Sequence, residues 1–327
     1  MKKRLVAPSG PDCARRKAHG VIERASTGCQ KTLREFALWL ENVRGLKPIS
    51  IAQRLLFARL FLEKIEDGGD AEAALSRLAP ADVEAFFVGC GARYRIATRA
   101  SIRGALRRLL QFAAAQGIVC PELAESVPSI FVRRLQAVPR GIAAKDIERL
   151  LTSLRPETPG KSRDRAILIL LATYGVRTGQ IQSLRLNDFD WRRHRVIFRS
   201  HKGCKPVLQT LTPAVAEAVA LYVREHRPVS DFHEVFLMVR RPLLPLTSSA
   251  VRSTVRLRLK QAGVDAHPLS PHAFRHAFAS RLVNERQPFK VVADLLGHRN
   301  LRATAIYAKV NRSLLEEAAA EWPEAHQ

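Results

Sequence analysis

The sequence contains few cysteines, and their arrangement argues against two common uses of this residue. Five occur in 327 residues, widely separated and without a Cys-x-x-Cys pair: Cys13, Cys29, Cys90, Cys120 and Cys204. A zinc site of the usual spacing needs such a pair, and a disulfide framework needs an even number of cysteines. We therefore expect reduced thiols in a cytosolic protein, and no metal site.

Long apolar runs are also missing. The longest strongly apolar run covers residues 166–172, whereas a helix needs about 20 apolar residues to cross a bilayer. Residues 1–10 are basic, but no apolar stretch follows them as it would in a signal peptide. These absences predict a cytoplasmic protein without a membrane segment.

Acidic residues are scarce relative to basic ones. The chain has 54 Lys and Arg against 30 Asp and Glu, a net charge of +24 that is spread along the sequence. Such a field attracts polyanions, and nucleic acid is the first candidate. From charge alone, the alternative is a basic protein from an organism whose proteins are rich in arginine.

Length and sequence pattern predict a mainly α-helical protein of two domains, with a small antiparallel β-sheet in the C-terminal domain. Residues 1–27 are basic and rich in Gly, Pro and Ser, which predicts a flexible arm too short for a further DNA-binding domain. A helical domain over 28–118, a linker over 119–141 that is interrupted by prolines, and a second domain over 142–322 are expected to follow.

Apolar residues at helical spacing predict four helices in the first domain, the last running from about residue 98 to 116. Arg99, Arg103 and Arg107 lie four residues apart on it and therefore on one side. A solvated charged face is the ordinary explanation of such a run. Because no acidic residue separates the three arginines, contact with DNA phosphates is an equal alternative.

The second domain is predicted to contain the sheet. Short β-type runs at 196–198 and 207–208 flank Lys202-Gly203, which is typical of a hairpin. Helices are predicted around it at about 146–154, 164–174, 213–226, 247–262, 272–285, 289–296, 301–308 and 311–321.

Four segments of this domain hold residues suited to breaking a DNA strand: Tyr174–Arg177, His201–Gly203, His272–His276, and Leu296–His298 with Tyr307. When a nucleophile attacks phosphorus, the non-bridging oxygens gain negative charge, which the planar fork of arginine can hold. Histidine and lysine can move protons, and tyrosine becomes a nucleophile in a cationic pocket. These groups suffice for strand cleavage without metal or ATP.

The segment from about 164 to 310 resembles the catalytic domain of the tyrosine recombinases, the family of the phage integrases and Xer-like site-specific recombinases. Residues 272–279 resemble the family's His-x-x-Arg-His helix, and 295–307 resemble its Leu-Gly-His…Thr-x-x-Tyr ending. The family has an ordered signature of Arg, Lys, His-x-x-Arg, His and Tyr. In this sequence it corresponds to Arg177, Lys202, His272, Arg275, His298 and Tyr307. The separations between these residues fit a member without large insertions.

The resemblance implies that three of these residues hold the phosphate whose bond is broken. Arg177 and Arg275 would clamp the scissile phosphate, and His298 would donate a hydrogen bond to one of its oxygens. Holding the phosphate by fixed donors in this way stabilises the charge of the transition state.

The other three residues are implied to carry the chemistry. Tyr307 would attack phosphorus, which leaves a 3′-phosphotyrosyl link and a free 5′ hydroxyl. His272 would assist proton transfer at Tyr307, and Lys202 would protonate the departing 5′ oxygen. No cofactor is implied, because the covalent link conserves the energy of the bond.

The sequence departs from the family pattern at supporting positions. Gln180 stands where the family usually has Glu, and Gly179 precedes it. After the hairpin turn, Pro206, Val207 and Thr210 occupy the stretch in which the family tends toward Lys-x-Arg-x-x-Pro. These differences affect expected backbone contacts and leave the six signature residues in place.

Partners and assembly are expectations from the same resemblance. Residues 28–118 would form a core-binding domain, which closes with the catalytic domain around double-stranded DNA as a C-shaped clamp. Four identical or different protomers on two DNA sites would form the active tetramer. Residues 311–322 would dock as a helix on a neighbouring subunit, with packing against their own domain as the alternative.

Two other functions stay open at this point. A type IB topoisomerase-like enzyme would use a very similar site to relax supercoils as a monomer. A non-catalytic descendant would bind DNA as an accessory or regulatory protein, although such a descendant is expected to lose part of the signature.

Overall fold

The computed structural model of the chain forms two compact units, Met1–Arg134 and Leu135–Gln327. The predicted class, mainly α with one small antiparallel sheet, is confirmed. The residues that the structure describes are 11–66, 69–130, 141–199, 206–264, 269–298 and 300–310.

The first unit is built from helices packed around one apolar core. In chain order the helices are α1 (Pro11–Glu23), α2 (Thr27–Asn42), α3 (Pro48–Ile65), α4 (Ala71–Ser76), α5 (Pro80–Arg93) and α6 (Ile96–Ala115), followed by a 3₁₀ turn at Pro121–Ala124. Phe36, Phe61 and Phe112 are fully buried where α2, α3 and α6 meet. Proline opens α3 and α5, where its missing N–H leaves no helical hydrogen bond unmade.

Helix α1 lies inside the segment 1–27 for which the sequence predicts a flexible arm, so that prediction is wrong for residues 11–23. The helix packs against α3. Ala14 and Ile22 are buried on the side facing the core, while the basic residues between them are exposed. Burying this apolar face stabilises the helix despite its polar composition.

The second unit surrounds the small sheet with further helices. They are α7 (Ala144–Ser153), α8 (Pro159–Tyr174), α9 (Thr178–Gln182), α10 (Pro213–Leu221), α11 (Ser248–Gln261), α12 (Pro271–Asn284) and α13 (Phe289–Leu296). The helix predicted at about 301–308 is found as two 3₁₀ turns, Leu301–Ala303 and Ala305–Val310. The helix predicted over 311–321 lies outside the described residues.

The sheet has three antiparallel strands in the order β1 (Phe189–Asp190), β2 (Arg195–Phe198) and β3 (Val207–Thr210). Phe198 pairs with Val207 at the end of the predicted hairpin. Strand β1 was not predicted, because a two-residue strand carries no alternating pattern. The segment between β2 and β3, residues 200–205 with Lys202, lies outside the described residues.

An ion cluster fixes the position of α8. Asp164 is 3% exposed and accepts hydrogen bonds from two arginines, Arg163 at 2.7 Å and Arg258 of α11 at 2.7 Å. Arg163 also donates to the carbonyl of Leu237 at 3.1 Å. Since α8 ends at Tyr174, the first residue of the Tyr174–Arg177 segment, this cluster anchors the helix that leads to the candidate site.

We predict that Asp164→Asn destabilises the protein by about 3 to 5 kcal/mol, because it leaves two partly buried guanidinium groups without their buried counter-charge. Chemical denaturation of the full chain measures this loss. The matched control is Glu157→Gln, which removes an exposed ion pair with Lys161 and should cost less than about 1 kcal/mol. Equal losses for the two variants would contradict the assigned role of Asp164.

Candidate active site

The turn that follows α8 places Arg177 at the site. Gly175 adopts the left-handed backbone conformation, with φ +57°, and its N–H donates to the carbonyl of Leu171. A Cβ atom here would lie 2.8 Å from the ring of Phe278 on α12. Both the backbone angle and the contact therefore require glycine, and the turn can pass close to α12.

Gln180 secures the backbone of Arg177. Its side-chain oxygen accepts the Arg177 N–H at 2.9 Å, and the residue is only 5% exposed. The amide thus fills the place in which the sequence pattern of the family has a carboxylate, and it makes the supporting contact that the departure put in question.

The two predicted phosphate-binding arginines converge on one backbone carbonyl. Arg275, which is 4% exposed, donates to the carbonyl of Leu296 at 2.7 Å and to that of Gly175 at 2.9 Å. Arg177 donates to the same Leu296 carbonyl at 3.2 Å and to that of Gly297 at 3.4 Å. Sharing an acceptor holds two cationic forks side by side, an arrangement suited to an anion with several oxygens.

The end of α13 supplies that carbonyl and also places His298. Gly297 ends the helix with φ +61°, and a Cβ atom there would lie 3.2 Å from Val207 of β3. Nδ1 of His298 lies 2.8 Å from the hydroxyl of the fully buried Thr304. Because this bond orients the imidazole, its other nitrogen is the one left for a ligand.

Burial and the two arginines keep His298 neutral. Burial, followed by the charges of Arg275 and Arg177, lowers the pKa of His298 from 6.5 to about 4. The pKa of His272 on α12 is also lowered, first by burial and then by Arg275, Arg177 and Arg252. Both imidazoles are therefore uncharged at neutral pH in the protein without DNA.

Tyr307 is buried against α12. It is 3% exposed, and its hydroxyl lies 2.9 Å from Nδ1 of His276. Burial raises the pKa of Tyr307, while the charges of Arg275 and Arg177 act in the opposite direction. The phenol is thus protonated at neutral pH, and it lies within the field of both arginines.

The structure brings together five of the six signature residues of the sequence: Arg177, His272, Arg275, His298 and Tyr307. Lys202 lies outside the described residues. His276 is a contact that the sequence signature did not single out, although it follows Arg275 directly in the His-x-x-Arg-His motif. Its position one helical turn after His272 was the available signal.

The α6 arginines differ in their surroundings. Nε of Arg103 donates to the carbonyl of Pro128 at 2.9 Å. Arg99 and Arg107 are half-buried, and their Nε atoms have no hydrogen-bond partner among the residues that the structure describes. Burial, followed by the charges of Arg44, Arg54 and Arg107, lowers the pKa of the neighbouring Arg108. Several positively charged arginine side chains therefore lie close together on this surface.

Within the described ranges, no three His, Cys, Asp or Glu side chains are grouped so that they could hold a metal ion. None of the described helices has both the length and the apolarity that crossing a bilayer requires.

The lowered pKa of His298 predicts a loss of stability in acid. Between pH 6.5 and about 4 the unfolded chain binds a proton at this residue that the folded protein does not, so the free energy of unfolding falls as pH falls through this range. His298→Asn should reduce the difference in unfolding free energy between pH 7 and 4.5 by about 2 kcal/mol. Denaturation at both pH values measures it, and an unchanged difference would contradict the assigned environment.

The sequence is similar to a known protein family and to individual proteins. Residues 140–313 match the Phage integrase family. The integrase/recombinase y4rF of Sinorhizobium fredii is 35% identical over 302 residues. This match covers 89% of this chain and 69% of the relative. The tyrosine recombinase XerD of Vibrio vulnificus is 27% identical over 226 residues, 68% of this chain and 73% of that protein.

The fold is shared with a solved recombinase. The XerH site-specific recombinase, in its post-cleavage complex with a palindromic difH substrate, superposes with a TM-score of 0.66 at 20% identity, over 99% of this chain and 100% of that chain. The family match spans the arginine pair, His298 and Tyr307 described above. The chain therefore belongs to the phage integrase family of tyrosine recombinases, enzymes that cleave and rejoin DNA strands.

Proposed function

We propose that this chain is a site-specific recombinase that cleaves and rejoins double-stranded DNA through a 3′-phosphotyrosyl intermediate on Tyr307. One observation carries the proposal. Arg177 and Arg275 both donate to the carbonyl of Leu296, and the positive charges of both act on Tyr307. A scissile phosphate held by two arginine forks would face a phenol supplied by the same unit.

Phosphate binding is assigned to Arg177, Arg275 and His298. The guanidinium forks hold the non-bridging oxygens and stabilise the charge that develops on them in the transition state. His298, neutral and oriented by Thr304, donates from its second nitrogen to one oxygen. A neutral donor adds a hydrogen bond without requiring the ring to take up a proton.

The covalent step moves two protons. The oxygen of Tyr307 forms a bond to phosphorus while the bond to the 5′ oxygen breaks, and the phenol proton passes to a base. The 5′ oxygen takes a proton from Lys202, which precedes β3 in the sequence, and Val207 of β3 lies beside the end of α13. Attack by a 5′ hydroxyl reverses the step, so the reaction needs neither metal nor ATP.

We predict that wild-type protein forms a covalent DNA adduct that protease removes, and that Tyr307→Phe forms none, because phenylalanine lacks the attacking oxygen. Both proteins are incubated with supercoiled plasmid carrying DNA that flanks the encoding gene, denatured, and resolved on a gel. The mutant must retain DNA binding and thermal stability as a control. An adduct that persists in Tyr307→Phe would show that another residue is the nucleophile.

The first unit is assigned a role in binding the DNA backbone. Arg99, Arg103 and Arg107 share one side of α6, and Arg44 and Arg54 bring further positive charge close to Arg108. Arg44 donates to Gln111 at 2.9 Å, a neutral partner that leaves its charge unbalanced. DNA phosphates would supply the missing negative charge.

Replacing Arg99, Arg103 and Arg107 together by glutamine should weaken binding to duplex DNA of arbitrary sequence. The slope of log association constant against log salt concentration, which is negative, should become less steep by about 2 to 3. Fluorescence anisotropy over a range of salt concentrations measures the slope. The matched control replaces three arginines of the same unit that pair with carboxylates, Arg15, Arg34 and Arg59. A control that lowers the slope as much would refute a specific role for the α6 arginines.

Assembly follows the family expectation. We propose that the active form consists of four identical or different protomers on two DNA sites. Residues 311–322, which lie outside the described residues, would make the contact between subunits. The curated relatives and the XerH complex support DNA as the partner of the assembly.

A further inference from the structure

The nucleophile assigned above is hydrogen-bonded to a histidine outside the recombinase signature. The hydroxyl of Tyr307 lies 2.9 Å from Nδ1 of His276, and the two ring centroids are 5.6 Å apart. His276 lies on α12, one turn beyond His272. Among the described residues, this imidazole is the hydrogen-bond partner of the Tyr307 side chain.

The surroundings of Tyr307 make a nearby proton acceptor necessary. The side chain is 3% exposed, so bulk water has little access to the phenol. Burial also raises the pKa of Tyr307 and keeps the proton on its oxygen at neutral pH. Attack on phosphorus therefore requires a group already within hydrogen-bond distance that takes this proton as the new bond forms.

His276 has the protonation state that such an acceptor needs. Burial is the main cause that lowers its pKa, followed by the charges of His272 and Arg275, so the ring is neutral at neutral pH. A neutral imidazole with its hydrogen on Nε2 presents a lone pair on Nδ1, the atom that faces the phenol.

We propose that His276 is the general base of the cleavage step and accepts the proton of Tyr307 at Nδ1. The assignment rests on the proposed function, in which Tyr307 attacks phosphorus. As the bond from the Tyr307 oxygen to phosphorus forms, the O–H bond breaks and His276 becomes an imidazolium. The 5′ oxygen leaves with a proton from Lys202, and rejoining returns each proton to its donor.

Binding of DNA would favour this transfer. In the free protein burial, followed by the positive charges of His272 and Arg275, disfavours a charged ring at position 276. A phosphate held by Arg177 and Arg275 brings negative charge close to the same ring and offsets those cations. The proton therefore moves more readily once substrate is bound, and His276 takes the proton-transfer role that the family resemblance implies for His272.

Two substitutions separate proton transfer from positioning. His276→Ala removes the acceptor and leaves space for free imidazole, whereas His276→Asn offers an amide oxygen near the position of Nδ1 that accepts a hydrogen bond but not a proton. With the plasmid described above, both variants should form the covalent adduct about 100-fold more slowly than wild type. Added imidazole should accelerate His276→Ala at least tenfold and leave His276→Asn unchanged.

Tyr307→Phe is the control that keeps the two proposals apart. It should give no adduct with or without imidazole, and an adduct there would overturn the proposed function itself. If Tyr307→Phe is inactive while His276→Asn cleaves at the wild-type rate, only the general base is refuted. The same holds if His276→Ala, shown by thermal melting and DNA binding to be folded, is not rescued by imidazole.

A measurement without DNA tests the required tautomer directly. Nitrogen NMR of the full-length protein with labelled histidines at neutral pH should show His276 with its hydrogen on Nε2 and no hydrogen on Nδ1. The chemical shift of Nδ1 should change when Tyr307 is replaced by phenylalanine. A hydrogen on Nδ1, donated to the phenol oxygen, would overturn the proposal irrespective of the cleavage results.

Discussion

The site depends on one backbone carbonyl that receives two guanidinium groups. Arg177 and Arg275 come from separate segments and both donate to Leu296, at the end of α13. Hydrogen bonds to a shared acceptor of fixed geometry offset the repulsion between two like charges, and here the acceptor is part of the main chain. The left-handed glycines at 175 and 297 allow the chain to pass close enough for this arrangement.

The arginine pair also sets the charge state of its neighbours. Burial, followed by the charges of the two arginines, lowers the pKa of His272 and His298. Burial raises the pKa of Tyr307, while the same two charges act to lower it. Without DNA the site therefore holds neutral imidazoles and a protonated phenol around two fixed positive charges. Two fixed cations beside neutral donors suit an anion with several oxygens, as a scissile phosphate is.

Much of this could be predicted from the sequence because the signature of the second unit is local. The hairpin and α12 were placed correctly from periodicity and motif, and five signature residues converge as the family resemblance implies. Helix α1 was missed because basic residues interrupt its narrow apolar face. Which of two histidines on α12 meets Tyr307 was not predictable, since it depends on how the turn at 305–310 packs. Lys202 and the tail 311–322 stay predictions.

A carbonyl oxygen offers the same hydrogen bond whatever side chain its residue carries. The acceptors of the arginine pair at Leu296 and Gly175 are therefore insensitive to most changes of the surrounding side chains, provided that the backbone path is kept. For protein engineering this separates two tasks. Residues elsewhere on the surface can be varied, while the acceptors of Arg177 and Arg275 are kept as long as the backbone path through Gly175, Leu296 and Gly297 is kept.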